Sequence, residues 1–282
     1  MRPRRSVLYL PGANERAVEK AATLAADALV LDLEDSVAPD AKETARRRVC
    51  ETVTAAPYGQ REVAIRVNGL DTPWHDADVR AAAQAGPDAV VVPKIDSAAD
   101  VHAVEAALSA AGAPDRTTIW AMIETPTAVL RAQEIATASD RLSVLVLGTN
   151  DLLKELYAEA VPGRAPLLTS LSLCLLAGRA AGKPVLDGVY NDVRDTEGFE
   201  AECVQARQLG FDGKTLIHPS QLEPCNRVFS PSDAEIDHAR RVVAAFDAAM
   251  AEGRGVATVD GRMVENLHVE QARRVLALAE HA

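Results

Sequence analysis

Short runs of Val, Leu, Ile and Ala recur along the chain, each followed by a stretch in which apolar residues return every three to four positions. Eight runs stand out as strands, at residues 6–10, 28–33, 62–67, 89–92, 117–123, 143–147, 185–189 and 214–217. Several are continuously apolar rather than alternating, as expected of parallel strands buried on both faces. The stretches between them, such as 14–26, 40–55, 76–85 and 98–111, are Ala-rich with a helical period. Eight strand–helix units in succession predict an α/β fold of the (β/α)8 TIM-barrel type rather than an open doubly wound sheet. No G-x-G-x-x-G follows the first run, which counts against a dinucleotide-binding fold.

Nearly every strand ends in polar or special residues: Pro11-Gly12, Glu34-Asp35, Arg66 with Asn68, Lys94, Glu124, Gly148 to Asp151, Asp187 with Tyr190, and His218. Barrels of this class build their active sites at the C-terminal strand ends, so these tips would converge on one pocket. After Gln221 the pattern changes. A capped helix is predicted from Ser232 or Asp233, followed by a Gly-rich turn, a hairpin-like piece and a final amphipathic helix. The domains expected are a catalytic barrel over 1–228 and a C-terminal helical extension over 229–282. The extension is too small for an independent core and is expected to lie on the barrel or on a neighbouring subunit.

Composition adjusts this picture modestly. At 282 residues, 48% hydrophobic and 25% charged, the chain has ample material for one large core. A net charge of −11 argues against nucleic acid or an anionic membrane as the main partner, though a local basic cluster can still hold an anionic ligand. The four cysteines, Cys50, Cys174, Cys203 and Cys225, are scattered without a C-x-x-C, which indicates reduced thiols rather than zinc or disulfides. The basic start carries an apolar stretch from Val7 to Leu10, too short for a signal segment, and no run approaches the roughly 20 residues that span a bilayer. A soluble, cytoplasmic protein is expected.

Candidate chemistry centres on five stretches. LVLDLEDSV sets Asp32, Glu34 and Asp35 within four positions, close enough to repel unless a cation or hydrogen-bond donors hold them. Glu124 in WAMIETP and Asp151 in LVLGTND follow consecutive strands, and two carboxylates that leave the other positions to water and substrate oxygens suit octahedral Mg²⁺. Each could instead serve its neighbouring helix start as a cap. Arg66 in AIRVNG ends a buried strand, placed to hold a carboxylate or enolate oxygen or to pair with the LVLDLEDSV carboxylates next door. Asn14, Arg16 and Lys20 lie at or near a helix start and offer a perch for phosphate. A Schiff-base role for Lys94 is less economical than a salt bridge, and His218 before a turn reads more readily as structural than as a base.

Together these stretches resemble the citrate lyase β-subunit/malyl-CoA lyase family, CoA-ester lyases of the HpcH/HpaI aldolase superfamily. The resemblance runs in order through R-S-V-L-Y-L-P-G-A-N, L-D-L-E-D-S-V-A-P-D-A-K, I-R-V-N-G-L-D-T-P, V-V-P-K, I-E-T-P, L-G-T-N-D-L, D-G-V-Y-N-D and D-G-K-T-L-I-H-P-S-Q, spanning about residues 5–265. It implies a (β/α)8 barrel with Mg²⁺, or Mn²⁺, held by Glu124 and Asp151, and Arg66 contacting the substrate. It also implies that Tyr9, Asn14, Lys20 and the Ile217-His218 segment line the CoA side. Homotrimers or homohexamers are implied too, with the C-terminal segment over a neighbour's active site. Relatives that cleave malyl-CoA-like thioesters carry an acid/base Asp in M-[IV]-D-x-P. Here the stretch is GRMVENLH, so Glu265 replaces the Asp and Leu267 the Pro, with Asp260 as a fallback.

The activity implied is that of a carbon–carbon lyase of the oxo-acid-lyase type. It would cleave or form a β-hydroxy acyl-CoA such as malyl-, citramalyl- or citryl-CoA, with an acyl-CoA and an α-keto acid as partners. Glu34 would order metal-bound water or Arg66, with Asp32 beside it. The alternatives are a citrate lyase β subunit acting on an acyl-carrier-protein thioester, a class II aldolase acting on free keto acids, and a non-catalytic CoA binder. Free-acid aldolases carry D-x-E-H where this chain has Asp32-Leu33-Glu34-Asp35, so Asp35 marks a missing histidine base. Retention of Glu124, Asp151 and Arg66 together argues against degeneracy.

Overall fold

Eight parallel strands close on themselves in chain order: β1 (Ser6–Pro11), β2 (Ala28–Asp32), β3 (Glu62–Arg66), β4 (Ala89–Val92), β5 (Thr118–Ile123), β6 (Leu142–Leu147), β7 (Val185–Asp187) and β8 (Gly213–Leu216). The last strand pairs with the first through Ser6↔Lys214 to Leu8↔Leu216, so the sheet has no edge. This is the (β/α)8 barrel expected from the sequence, in a computed structural model that describes residues 2–280. Around it run α1 (Glu15–Lys20), α2 (Lys42–Ala55), α3 (His75–Ala85), α4 (Ala98–Ala110), α5 (Pro126–Leu130), α6 (Ala132–Ala136), α7 (Thr149–Glu155), α8 (Leu168–Ala180), α9 (Thr196–Leu209) and α10 (Leu222–Phe229).

The barrel interior is a packed core. Val7, Val30, Val91, Val144, Val146 and Leu186 share it with Trp120 and Met122, while Ala28, Ala64 and Ala89 keep neighbouring positions small. That mixture of sizes lets one indole fill a cylinder that eight Leu residues would overpack. The Arg4 guanidinium lies 5.4 Å from the Trp120 ring and is anchored by Glu62 at 2.6 Å. The N-terminal end of the barrel is thereby filled, leaving the C-terminal end for a site.

The chain divides into two compact units, Arg4–Asn226 and a second made of the residues before Arg4 together with those from Arg227 onward. The second contains α11 (Asp233–Ala251), an antiparallel pair β9 (Ala257–Val259) and β10 (Arg262–Val264), and α12 (Asn266–Ala279). A reciprocal capping box sets the start of α11: Ser232 N–H donates to Glu235 Oε2 at 2.7 Å and Glu235 N–H to Ser232 Oγ at 3.3 Å. The expectation that this segment lacks a core of its own is corrected. Val242, Phe246, Val264 and Val269 are buried together, because two helices and a hairpin suffice to cover one apolar cluster. No helix among the described residues is long and apolar enough to cross a membrane.

Candidate active site

The C-terminal strand ends enclose a cleft of about 360 Å³, with Tyr9, Arg66, Met122, Glu124, Asp151 and Ile217 among its walls. Arg66 and Asp32 end adjacent strands and face one another in register. Arg66 Nε and Nη2 donate to the two Asp32 oxygens at 2.7 and 2.8 Å, a bidentate pair. Glu34, in the loop beyond β2, meets Arg66 Nη1 at 2.7 Å, and Asp35 stands 3.7 Å from it. The Tyr9 ring lies 4.8 Å from the guanidinium carbon, so Arg66 is fixed in plane as well as in direction. The crowding of carboxylates in LVLDLEDSV is thus resolved by one buried arginine.

Glu124 immediately follows β5 and is 2% exposed. Its neighbour Thr125 caps α5: Oγ1 accepts from Ala128 N–H at 3.0 Å and donates to Asp96, with Pro126 entering the first turn. The Glu124 carboxylate is therefore released from any capping duty. Its Oε1 accepts from the Lys94 backbone N–H at 2.8 Å, and its Oε2 fills the space where a Cβ on Gly148 would stand. Gly148 in turn is the N-cap of α7, which leaves Asp151 in the first turn rather than at the cap. The Asp151 carboxylate is part-exposed and lies 3.9 Å from Lys94 Nζ.

The electrostatics separate these acids. Burial opposes ionisation of Asp32, but the Arg66 charge and hydrogen bonds, with the N–H groups of Ser36 and Glu34, hold it below the usual carboxylate range. Burial pushes Glu34 up to about 7 against the pull of Arg66, with Asp35 and Asp32 adding repulsion. Glu124 is pushed to about 8, first by burial and then by the charges of Glu34 and Asp151. Around Glu124 the carboxylates outweigh the cations, because Arg66 is already committed to Asp32 and Glu34.

A divalent ion fits that deficit. Among the described residues no three His, Cys, Asp or Glu side chains group as a ligand set. With one oxygen from each, the Glu124–Asp151 pair would leave two-thirds of an octahedral shell to water and substrate oxygens, as Mg²⁺ prefers. The space vacated by the missing Cβ of Gly148 is what seats Glu124 Oε2.

Of the other barrel residues singled out in the sequence, most lie outside this cluster. Asn14 is the N-cap of α1 and accepts from Ala17 N–H at 3.1 Å; Arg16 and Lys20 are exposed, and none of the three lines the cleft. Ile217 reaches the wall, whereas His218 caps a short 3₁₀ turn, its Nδ1 accepting from Ser220 N–H at 3.2 Å. In the C-terminal unit Glu265 caps α12, its N–H bonded to His268 Nδ1 at 3.2 Å, and Asp260 pairs with Arg241 and, at 3.4 Å, with His238.

Other residues at the site carried no separate signal in the sequence. Buried Lys42 donates to Leu33 O, Glu34 O and Asn68 Oδ1 at 2.8, 2.7 and 2.7 Å, a tripod that fixes the loop carrying Glu34. Its place in a helix-forming stretch gave no hint of this. Asn150 and Asn191 exchange amide hydrogen bonds at 3.1 and 2.8 Å and join the cleft to a second one of about 480 Å³ beside α9.

A family model described as HpcH/HpaI aldolase/citrate lyase matches residues 5–219, and one described as a C–C bond lyase of the TIM-barrel fold matches residues 171–281. The chain belongs to the HpcH/HpaI aldolase/citrate lyase family. A member from Cereibacter sphaeroides, a (3S)-malyl-CoA thioesterase, is 55% identical over 278 residues, 99% of this chain and 95% of that one. The citrate lyase β subunit of Escherichia coli K12 is 42% identical over 284 residues, 99% and 94% of the two chains. Among solved structures, protein CitE from Mycobacterium tuberculosis in complex with magnesium, acetoacetate and coenzyme A superposes with a TM-score of 0.80 at 32% identity, covering 99% of this chain and 98% of that one. The family is enzymatic, comprising lyases and thioesterases of CoA esters and related thioesters.

Proposed function

We propose that this chain is a divalent-metal-dependent enzyme acting on the CoA thioester of a β-hydroxy acid of the malyl-CoA type, and that it hydrolyses the thioester. The observation that carries the reading is the convergence of the Glu124–Asp151 pair and the Asp32-held Arg66 on one cleft. Full-length similarity at 55% identity to a (3S)-malyl-CoA thioesterase supports the choice of substrate and bond.

Glu124 and Asp151 hold Mg²⁺ or Mn²⁺, which when bound supplies Lewis-acid polarisation to oxygens of the acid portion. Arg66 binds an oxygen on which negative charge develops, and its value there depends on being held in place beforehand by Asp32, Glu34 and Tyr9. Ile217 and His218, with Asn14, Arg16 and Lys20 towards the phosphates, form the CoA side and offset the chain's net negative charge locally. Water adds to the thioester carbonyl carbon, the carbon–sulfur bond breaks, and the CoA sulfur leaves as thiolate and is protonated.

Carbon–carbon cleavage is the second reading, favoured by the similarity to citrate lyase β subunits. There the β-hydroxyl loses its proton and the carbon–carbon bond breaks. The electron pair moves to the carbon next to the thioester, and Glu265 from another copy in a homotrimer or homohexamer supplies a proton to it. The products are an acyl-CoA and an α-keto acid. A citryl thioester on an acyl carrier protein is the corresponding substrate if the chain works as a citrate lyase β subunit. In either reading we assign the protein to the cytoplasm, with the barrel over 1–228 carrying catalysis and the extension over 229–282 serving a neighbouring subunit.

Purified protein with (3S)-malyl-CoA and Mg²⁺, followed by mass spectrometry, distinguishes the outcomes. Malate and free CoA are expected; glyoxylate and acetyl-CoA would move the assignment to cleavage. Full turnover in excess chelator, or by Glu124→Gln and Asp151→Asn, would remove the metal from the reading. Inertness toward malyl-, citramalyl- and citryl-CoA and toward carrier-bound citryl would overturn it.

A further inference from the structure

Lys94 follows β4 with its backbone in the left-handed region, φ 51°, which residues bearing a Cβ seldom adopt outside sites that require it. That turn directs its N–H to Glu124 Oε1 at 2.8 Å, while its ammonium stands 3.9 Å from Asp151 Oδ1. One residue thus engages both carboxylates of the pair, one through the main chain and the other through the side chain. Its side chain is 48% exposed, so the ammonium has room to withdraw while the backbone contact stays.

We propose that Lys94 is the built-in counter-cation of the Glu124–Asp151 pair, that its ammonium must give way when a divalent ion binds, and that it thereby makes ion binding depend on the acid substrate. The proposal rests on the metal reading above. Two carboxylates balance a divalent ion; the lysine leaves one positive charge in excess, and the carboxylate of an α-keto or β-hydroxy acid restores neutrality. An ion held by Asp151 would stand beside the ammonium that now faces the same carboxylate, and the two cations would repel. Ion and acid therefore assist one another, by reciprocal linkage.

The test is Mn²⁺ binding, read by electron paramagnetic resonance of free Mn²⁺ with and without pyruvate, on wild type, Lys94→Met, Lys94→Gln and Lys94→Arg. The neutral variants are expected to bind Mn²⁺ alone about 5–10-fold more tightly than wild type and to lose most of the tightening by pyruvate, whereas Lys94→Arg keeps both wild-type values. Two neutral variants guard against one failing to fold, checked by circular dichroism. Unchanged Mn²⁺ affinity in folded neutral variants overturns the role of Lys94 and leaves the metal reading standing. No Mn²⁺ binding by wild type, with or without pyruvate, overturns both.

Discussion

Arg66 and Asp32, end to end on neighbouring strands, form a bidentate ion pair at 2.7 and 2.8 Å with both side chains largely buried. Removing Asp32 leaves the guanidinium with the Glu34 contact at 2.7 Å and the looser Asp35 one, so the cost stays within the roughly 3–5 kcal/mol of breaking a buried pair outright. Asp32→Asn is expected to lower the midpoint of urea unfolding accordingly and to free the guanidinium from its plane. Arg66→Lys keeps the charge but not the fork. It is expected to retain most of the stability and lose about 10²-fold or more in kcat. Unfolding curves and steady-state kinetics on the two variants separate these effects.

Gly148→Ala is the smallest change with a large expected effect. The new methyl would stand where Glu124 Oε2 now lies, so either the carboxylate or the turn into α7 must move. Isothermal titration is expected to show loss of measurable Mg²⁺ binding, with kcat falling about 10²-fold for a displacement near 1 Å.

Glu34 makes stability depend on pH. Its folded value of about 7 lies above the ordinary 4.5, because burial disfavours the charged form. The stabilisation is therefore complete below about 4.5 and is lost as pH rises through about 7, amounting to roughly 3 kcal/mol at most. Thermal melts between pH 5 and 8.5 are expected to show a declining Tm whose slope is reduced in Glu34→Gln, the remaining decline through about pH 8 belonging to Glu124.

Lys42→Met removes the three donors that tie Leu33, Glu34 and Asn68 together; Leu33 O keeps Asn68 Nδ2 and Glu34 O keeps the Val37 N–H, while Asn68 Oδ1 loses its donor. A destabilisation of about 3 kcal/mol or more is expected by urea unfolding, together with faster amide hydrogen exchange confined to the loop after β2.

The barrel was legible because several strands are continuous apolar runs bounded by polar tips, the pattern expected of parallel strands buried on both faces. The Arg66–Asp32 partnership was legible for a related reason: consecutive strands in a closed barrel are neighbours, and their last residues meet. The sequence did not disclose that Glu124 is free, since I-E-T-P offers two capping candidates and the choice of Thr125 turns on local backbone geometry. Lys94 looked like an ordinary salt-bridge lysine because a left-handed backbone at a non-glycine residue leaves no trace in the pattern. The second cleft was equally hidden. It is shaped by a kink at Gly163 and Arg164, with φ of 75° and 55°, in a stretch without period. Contacts to CoA by Asn14 and Lys20 were implied by resemblance and a phosphate perch including Arg16 by the helix start, and those side chains are surface groups at α1.

The filling of the barrel by Trp120 beneath Arg4 has a kinetic corollary. A cylinder stoppered at one end gives everything that reacts inside it a single doorway. On the proposed function, whichever bond is broken, the fragment seated beside Glu124 would sit innermost and the CoA portion outermost. The fragments then depart in a fixed order, CoA before acid, and accumulated free CoA is expected to trap the enzyme with its acid product still inside.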